Sequence, residues 1–230
     1  MENKTVILKV LVGSQAHGLA SADSDYDYRG VYVVPTKEIL SLGHSYKGSH
    51  WLEGEKEDQT AWEIGHFLHL ATKCNPTILE TFKAPVPTGL LGVKSDYWHY
   101  PKEIQDLFPY VWNPNDAFNA FVGYGLNQRK KMLDNHLDRW CKYAVAYLRT
   151  LKNLYDLLST GDFSLKVDDG AFKDFLLEIK AEKISLGTII DQSEKWINVC
   201  QKAKDKCTHK PDITKVNEFL IKIRKEFWDA

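Results

Sequence analysis

Residues 5–12, TVILKVLV, are β-branched or leucine-rich at almost every position, and the run stops at Gly13. A stretch apolar on both alternating faces predicts a strand buried in the middle of a sheet. Residues 25–34, DYDYRGVYVV, alternate as a second strand, with Asp25, Asp27, Arg29, Val31 and Val33 on one face and Tyr26, Tyr28, Tyr32 and Val34 on the other. Pro35 ends it. A short third strand is expected around residues 58–62, after a polar loop rich in Gly, Glu and Lys.

From Glu63 the period becomes helical. Ile64, Phe67, Leu68 and Ala71 fall at i, i+3, i+4 and i+7, and Asn75-Pro76 punctuates the end. TILETFK, residues 77–83, reads as a further short helix. The Pro- and Gly-bearing segment 84–114 reads as loop with partial helix and as the passage from a first unit to a second. Helical patterns then follow: one capped by Asn115 or Asp116 and carrying Phe118, Phe121, Val122, Leu126 and Met132, one over 138–159 with Gly161 past its end, and others at 170–181, 185–207 and 213–228. The expected fold class is α+β, a small mixed β-sheet core with flanking helices over 1–110, then a helical unit over 111–230 that closes the active-site cleft.

Composition narrows the function classes. Hydrophobic residues make up 43% of 230, enough for a real core. Thirty basic against thirty-one acidic side chains exclude wholesale coating of nucleic acid or membrane, so any basic surface is local. The N-terminal apolar run is too short and too charged at its edges for a signal peptide or a spanning helix, which gives a cytoplasmic, membrane-free expectation. Cys74, Cys141, Cys200 and Cys207 form no C-x-x-C pair, so reduced thiols are expected. Cys200, Cys207 and His209 lack a fourth ligand for zinc.

The chemistry concentrates in Gly13-Ser14 and Asp25-x-Asp27. Two aspartates at i and i+2 of a strand project from one face with Cα atoms roughly 6.5–7 Å apart, so their carboxylates can share divalent cations. A pair of metals held roughly 3.5–4 Å apart by such carboxylates is the clamp for in-line phosphoryl or nucleotidyl transfer. All-oxygen ligation selects Mg²⁺ or Mn²⁺. Gly13 lets the backbone turn sharply, and the following N–H groups with the Ser14 hydroxyl can cradle nucleotide phosphates. Singly each feature is ordinary turn chemistry; in this order they form a compound signal.

In that order the residues resemble the DNA polymerase beta-like nucleotidyltransferase superfamily, and more closely its bacterial and phage branch tied to RNA repair. The likeness rests on Gly13-Ser14-Gln15-Ala16-His17-Gly18-Leu19 and on Ser24-Asp25-Tyr26-Asp27-Tyr28-Arg29-Gly30-Val31. It continues through Asp58, Phe67, Leu68, Leu70 and Asn75-Pro76-Thr77-Ile78-Leu79-Glu80, and more faintly from Lys142 to Gly161. It spans about residues 6–163, with the first thirty the most specific.

The resemblance implies a nucleotidyltransferase core with Gly13 and Ser14 at the nucleotide phosphates, Asp25 and Asp27 as metal ligands, and Asp58 as the third catalytic carboxylate. Glu63 is the rival third ligand; five residues on, it would face the other way on a continuous strand, so strand parity favours Asp58. Two Mg²⁺ or Mn²⁺ ions and an NTP such as ATP are implied. The reaction would move an NMP to a hydroxyl acceptor, an RNA end such as that of tRNA, with release of pyrophosphate. Alternatives are transfer to a protein side chain or a small molecule, or a nucleotide- or RNA-binding module without turnover. Ala146 stands where relatives carry a His.

Arg29, Lys142 and Arg149 are further candidates for nucleotide contacts, against salt-bridge or solvated roles. His17 either touches nucleotide or caps the turn after Gly13-Ser14. Arg129-Lys130-Lys131, Trp112 and the lysines 202, 204, 206 and 210 either guide nucleic acid or form ordinary surface.

Overall fold

The run at residues 5–12 forms an edge strand and not the middle strand its doubly apolar pattern predicts; its free side is covered by other chain, the Leu11 N–H donating to the Pro85 carbonyl at 2.9 Å, so both of its faces are still buried. In the computed structural model, which describes residues 4–42, 49–51, 60–88, 93–134 and 139–229, strand β1 spans Thr5–Val12 with Ile7, Leu8 and Val10 fully buried. It leads into a single helical turn, α1 (Gly13–Ala16). Strand β2 (Asp27–Val33) returns antiparallel to β1, pairing Val12 with Asp27 and Val10 with Arg29. The strand begins at Asp27, two residues later than the alternation predicts, because Asp25 and Tyr26 are exposed and have no apolar face to bury. After Pro35 comes α2 (Thr36–Ile39), then strands β3 (Ser49–Trp51) and β4 (Thr60–Glu63).

The sheet order is β1-β2-β4-β3, with β4 parallel to β2 and β3 antiparallel on β4. The sheet is therefore mixed. Helix α3 (Ile64–Thr72) follows without a break and buries Ile64, Phe67, Leu68 and Ala71, the predicted stripe. Helix α4 (Pro76–Lys83) starts on proline, whose missing N–H costs nothing at a first helical position. The segment 84–114 holds more helix than its prolines suggest: a 3₁₀ turn at Ser95–Tyr97, then α5 (Tyr100–Gln105) and α6 (Phe108–Val111).

Helix α7 (Pro114–Asp134) is capped by Asn113, earlier than Asn115 or Asp116. The Asn113 side chain accepts from the Asp116 N–H and donates to the Asp116 carboxylate, so one residue serves as cap and the other as its reciprocal partner. Helix α8 (Trp140–Thr160) buries Ala144, Tyr147, Leu148, Leu151, Leu154, Leu157 and Leu158 and ends at Gly161 with φ +84°. Helices α9 (Ala171–Lys180), α10 (Leu186–Lys206) and α11 (Ile213–Glu226) complete the chain, α10 capped by Ser185 and α11 by Asp212.

Two compact units result. One contains Met1–Thr72, Thr77–Val111 and Pro211–Ala230, the other Lys73–Pro76 and Trp112–Lys210. The first is the sheet with its flanking helices, and α7 to α10 pack around α8 in the second. The expected 1–110 and 111–230 division differs at its end, since α11 belongs with the sheet. The reason is chemical: α11 buries Val216, Phe219 and Ile223 and carries Arg224, whose guanidinium meets the fully buried Glu63 of β4. Thr36 also donates its hydroxyl to the Arg224 carbonyl at 2.7 Å.

Candidate active site

The turn from β1 into α1 is built around one close approach. Gly13 has φ +70°, a left-handed conformation disfavoured for side-chain-bearing residues, and a Cβ placed there would overlap the Asp27 carboxylate and lie 3.0 Å from its Cγ. Val12 and Asp27 are register partners, so this contact follows directly from the β1–β2 pairing. The Gly13-Ser14 backbone and the Asp27 carboxylate thus share one location.

The approach to β2 is held by side-chain bonds. Gln15 donates from Nε2 to the Ser24 carbonyl at 3.0 Å, and the Ser24 hydroxyl accepts from the Ser21 N–H at 2.8 Å. Gly18, at φ +67°, lets the chain turn out of α1. These contacts fix Ser24 and so the start of the Asp25-Tyr26-Asp27 segment. Asp25 is exposed and its carboxylate has no hydrogen bond or ion pair among the described residues. The half-buried Ser14 hydroxyl likewise has no partner among them. A carboxylate and a hydroxyl without partners among the described residues, beside a second carboxylate, make a hard, all-oxygen donor set that fits Mg²⁺ or Mn²⁺. No group of three His, Cys, Asp or Glu side chains able to hold a metal occurs among the described residues. Asp58, the expected third carboxylate, lies outside them.

Glu63 has a different occupation. It pairs with Tyr32 in the parallel register and therefore projects from the face opposite Asp27, Arg29 and Val31. Its two oxygens accept from Arg224 Nη1 and Nη2 at 2.7 and 2.8 Å, and Oε2 also accepts from the Gly65 N–H at 2.7 Å. It is fully buried and held by a bidentate ion pair.

Arg29 lies on the Asp27 face and donates from Nη1 to the Thr77 carbonyl at 3.3 Å, with Glu80 Oε2 at 3.8 Å. It joins β2 to α4. Its partner Glu80 belongs to the stretch that carries the family resemblance, but its pairing with Arg29 was not expected from the sequence. Sequence reading also passed over Lys9, 7% exposed, whose ammonium rests 4.8 Å from the Tyr28 ring on the opposite sheet face from Asp27.

Lys142 and Arg149, both candidates for nucleotide contacts, have unlike surroundings in the second unit. Lys142 is exposed, whereas Arg149 is buried on α8 beside a cavity of about 200 Å³ also lined by Asn153, Asp156 and Asp168. Trp112 cannot stack a base: it is fully buried and stacks face to face with His209, centroids 3.8 Å apart. Arg129 forms an ion pair with Glu194 at 3.5 Å. All four cysteines are free, as their spacing predicts. Burial pushes the Cys74 thiol up to about 11 and the Cys200 thiol up to about 12.

This geometry, a left-handed Gly-Ser turn packed on the second aspartate of Asp-x-Asp, agrees with the comparison of the whole chain with known families. The profile described as RlaP, RNA repair pathway DNA polymerase beta family, matches residues 1–222. The chain belongs to this family. Membership suggests nucleotidyltransferase activity and associates the chain with RNA repair. Among curated relatives, "Uncharacterized protein YcgL" of Bacillus subtilis (strain 168) is 22% identical over 242 residues, covering 97% of this chain and 91% of that protein. An "Uncharacterized 38.9 kDa protein in nrdC-mobD intergenic region" of Enterobacteria phage T4 is 28% identical over 136 residues, 56% of this chain and 38% of the phage protein. No solved structure matches significantly. Among the described residues no helix is long and apolar enough to cross a membrane.

Proposed function

We propose that this RlaP-family chain is a metal-dependent nucleotidyltransferase that moves an NMP from an NTP to a hydroxyl at an RNA end, with release of pyrophosphate. The observation that supports the reading is the packing of Gly13 against the Asp27 carboxylate, which brings together the turn proposed to bind phosphate and the acid proposed to bind metal. Asp25 and Asp27 would hold Mg²⁺ or Mn²⁺, with Asp58 as the third carboxylate. Asp58 lies outside the described residues; in sequence it stands two and four positions before Thr60 and Trp62, and Trp62 pairs with Val31 on the Asp27 face. The ions would supply charge neutralisation at the reacting phosphate and a lowered pKa for the acceptor hydroxyl.

The chain's own groups orient the substrate. Backbone N–H groups at the start of α1 and the Ser14 hydroxyl, which has no partner among the described residues, donate to the triphosphate, where charge accumulates as pyrophosphate leaves. Arg29, fixed by Thr77 and Glu80, keeps β2 and α4 in register beneath the site, a positioning role. Glu63 serves the fold.

The test is pyrophosphate release with Mg²⁺ or Mn²⁺, each NTP in turn and a panel of RNA and protein acceptors. Label transfer to RNA that disappears in Asp27→Ala supports the reading. Label on protein alone would reassign the acceptor, and no release with any combination would sink the enzyme assignment.

A further inference from the structure

The second unit carries a groove that the active-site residues do not use. Between α8 and α10 lies a cavity of about 690 Å³ lined by Tyr155, Leu158, Val199, Lys202, Lys206 and His209 among others. A second hollow of about 350 Å³ is lined by Tyr155, Lys195, Trp196 and Val199. Both are lined by Tyr155 and Val199, so the two hollows adjoin at these residues along α10. The floor of this trough is aromatic: Trp196 meets Tyr155 edge-on at 5.6 Å and Phe172 at 5.8 Å, and Trp196 and Tyr155 are only half-buried.

The rim is cationic. Lys195, Lys202 and Lys206 stand at i, i+7 and i+11, a spacing that puts them on one narrow stripe of the helix over about 16 Å. All three are exposed and have no ion-pair partner among the described residues. Two other lysines of this unit are neutralised, Lys152 by Asp156 and Lys173 by Asp169. Asp205, next to Lys206 in sequence, accepts from Gln201 instead. Favourable interaction with the α10 C-terminus explains a lysine in the last turn, but Lys195 lies three turns upstream of it.

We infer that this trough binds single-stranded nucleic acid, with the lysine stripe following the phosphates and Tyr155 and Trp196 offering ring faces and edges to bases. Uncompensated cations in a row beside half-exposed aromatic rings match a polyanion that also carries flat apolar groups. An acidic protein segment would satisfy the lysines and leave the aromatic floor without a counterpart. The inference names the acceptor class of the proposed transferase and rests on that reading for its role, but binding itself can be read without turnover.

The experiment is fluorescence anisotropy of a labelled 15-nucleotide single-stranded RNA of mixed sequence with the full chain, in the absence of NTP and divalent metal. The triple variant Lys195→Glu, Lys202→Glu, Lys206→Glu is expected to weaken binding at least ten-fold. The corresponding Lys→Gln triple should reduce the dependence of log affinity on log salt by about 2, three lost phosphate contacts at about 0.7 each. Asp27→Ala should bind like the parent, which separates this site from catalysis. Parent-like affinity in a triple variant of unchanged melting temperature overturns the inference, as does equal affinity for duplex RNA of the same length. Lysine-dependent RNA binding without pyrophosphate release would retain the groove and reject the transferase. Turnover on another acceptor without such binding would do the reverse.

Discussion

The Asp27 carboxylate lies directly against the Cα of Gly13, and only the missing side chain at residue 13 makes room for it. Val12 and Asp27 are paired across β1 and β2, so the strand register itself delivers the acid to the start of α1. Strand, glycine and carboxylate are one device.

Gly13→Ala should therefore fail in two ways. The left-handed φ costs a side-chain-bearing residue roughly 1–2 kcal/mol, and the new methyl must displace the Asp27 carboxylate. Urea unfolding should show a loss of at least that size, and transfer should fall by more than the unfolded fraction explains. Parent-like stability together with parent-like turnover would mean that the close approach has no role.

Asp25→Asn tests the metal site with little structural disturbance. The carboxylate is exposed and unpartnered among the described residues, so stability without metal should stay within about 0.5 kcal/mol of the parent. Turnover should drop by orders of magnitude. Mn²⁺ should raise the melting temperature of the parent and not of the variant, because a bound ion stabilises only the state that holds it. A variant that transfers at the parent rate would remove Asp25 from the ligand set.

The cysteines give a prediction about pH. The Cys74 and Cys200 thiols are held protonated by burial, up to about 11 and about 12, against an ordinary value of 9.0. At pH 8 iodoacetamide should label the half-buried Cys141 and Cys207 and spare Cys74 and Cys200 until the chain is denatured. As pH rises past 9 the unfolded thiols lose protons that the folded ones keep, so stability declines toward pH 11–12. Fast native labelling of Cys200 would contradict its burial.

Glu63 shows where sequence runs out. β1, the helical stripe of α3, the Gly161 stop and the Gly-Ser and Asp-x-Asp site were legible because each depends on local periodicity or on a backbone need. Nothing local announces that an acid at the head of α3 will meet an arginine 161 positions later. Read from its neighbours, Glu63 is a first-turn acid worth a few tenths of a kcal/mol. Fully buried, with Arg224 on both oxygens, it becomes the tie that holds α11 to the sheet unit. The same limit applies to Trp112, whose stacking on His209 depends on chain far along the sequence. It applies to β3 as well, a three-residue edge strand too short to produce a period.

Glu63→Gln should accordingly destabilise the fold by about 3 kcal/mol, the low end for breaking a buried pair, because the Arg224 guanidinium left without its counter-charge is only partly buried. Glu63→Met combined with Arg224→Met should recover much of that loss by removing both charges at once. Denaturant titration of the two single variants and the double variant checks this. Additive losses would show that the pair is not coupled.

Asp58→Asn addresses the third carboxylate. Asp58 lies outside the described residues, two and four positions in sequence before Thr60 and Trp62, and Trp62 aligns with Val31, which lies on the sheet face of Asp27. Glu63 has the other parity and both of its oxygens engaged by Arg224. Replacing Asp58 with asparagine keeps shape and removes one negative charge. If Asp58 serves the metal that activates the acceptor hydroxyl, single-turnover transfer should fall by orders of magnitude, while NTP binding through Gly13, Ser14 and the remaining aspartates persists. Mn²⁺ affinity should fall in parallel. Glu63→Gln, measured at a temperature and urea concentration where it remains folded, should transfer at close to the parent rate. An active Asp58→Asn beside an inactive, folded Glu63→Gln would reverse the assignment. Two active variants would send the search for the third ligand to other acids of the chain.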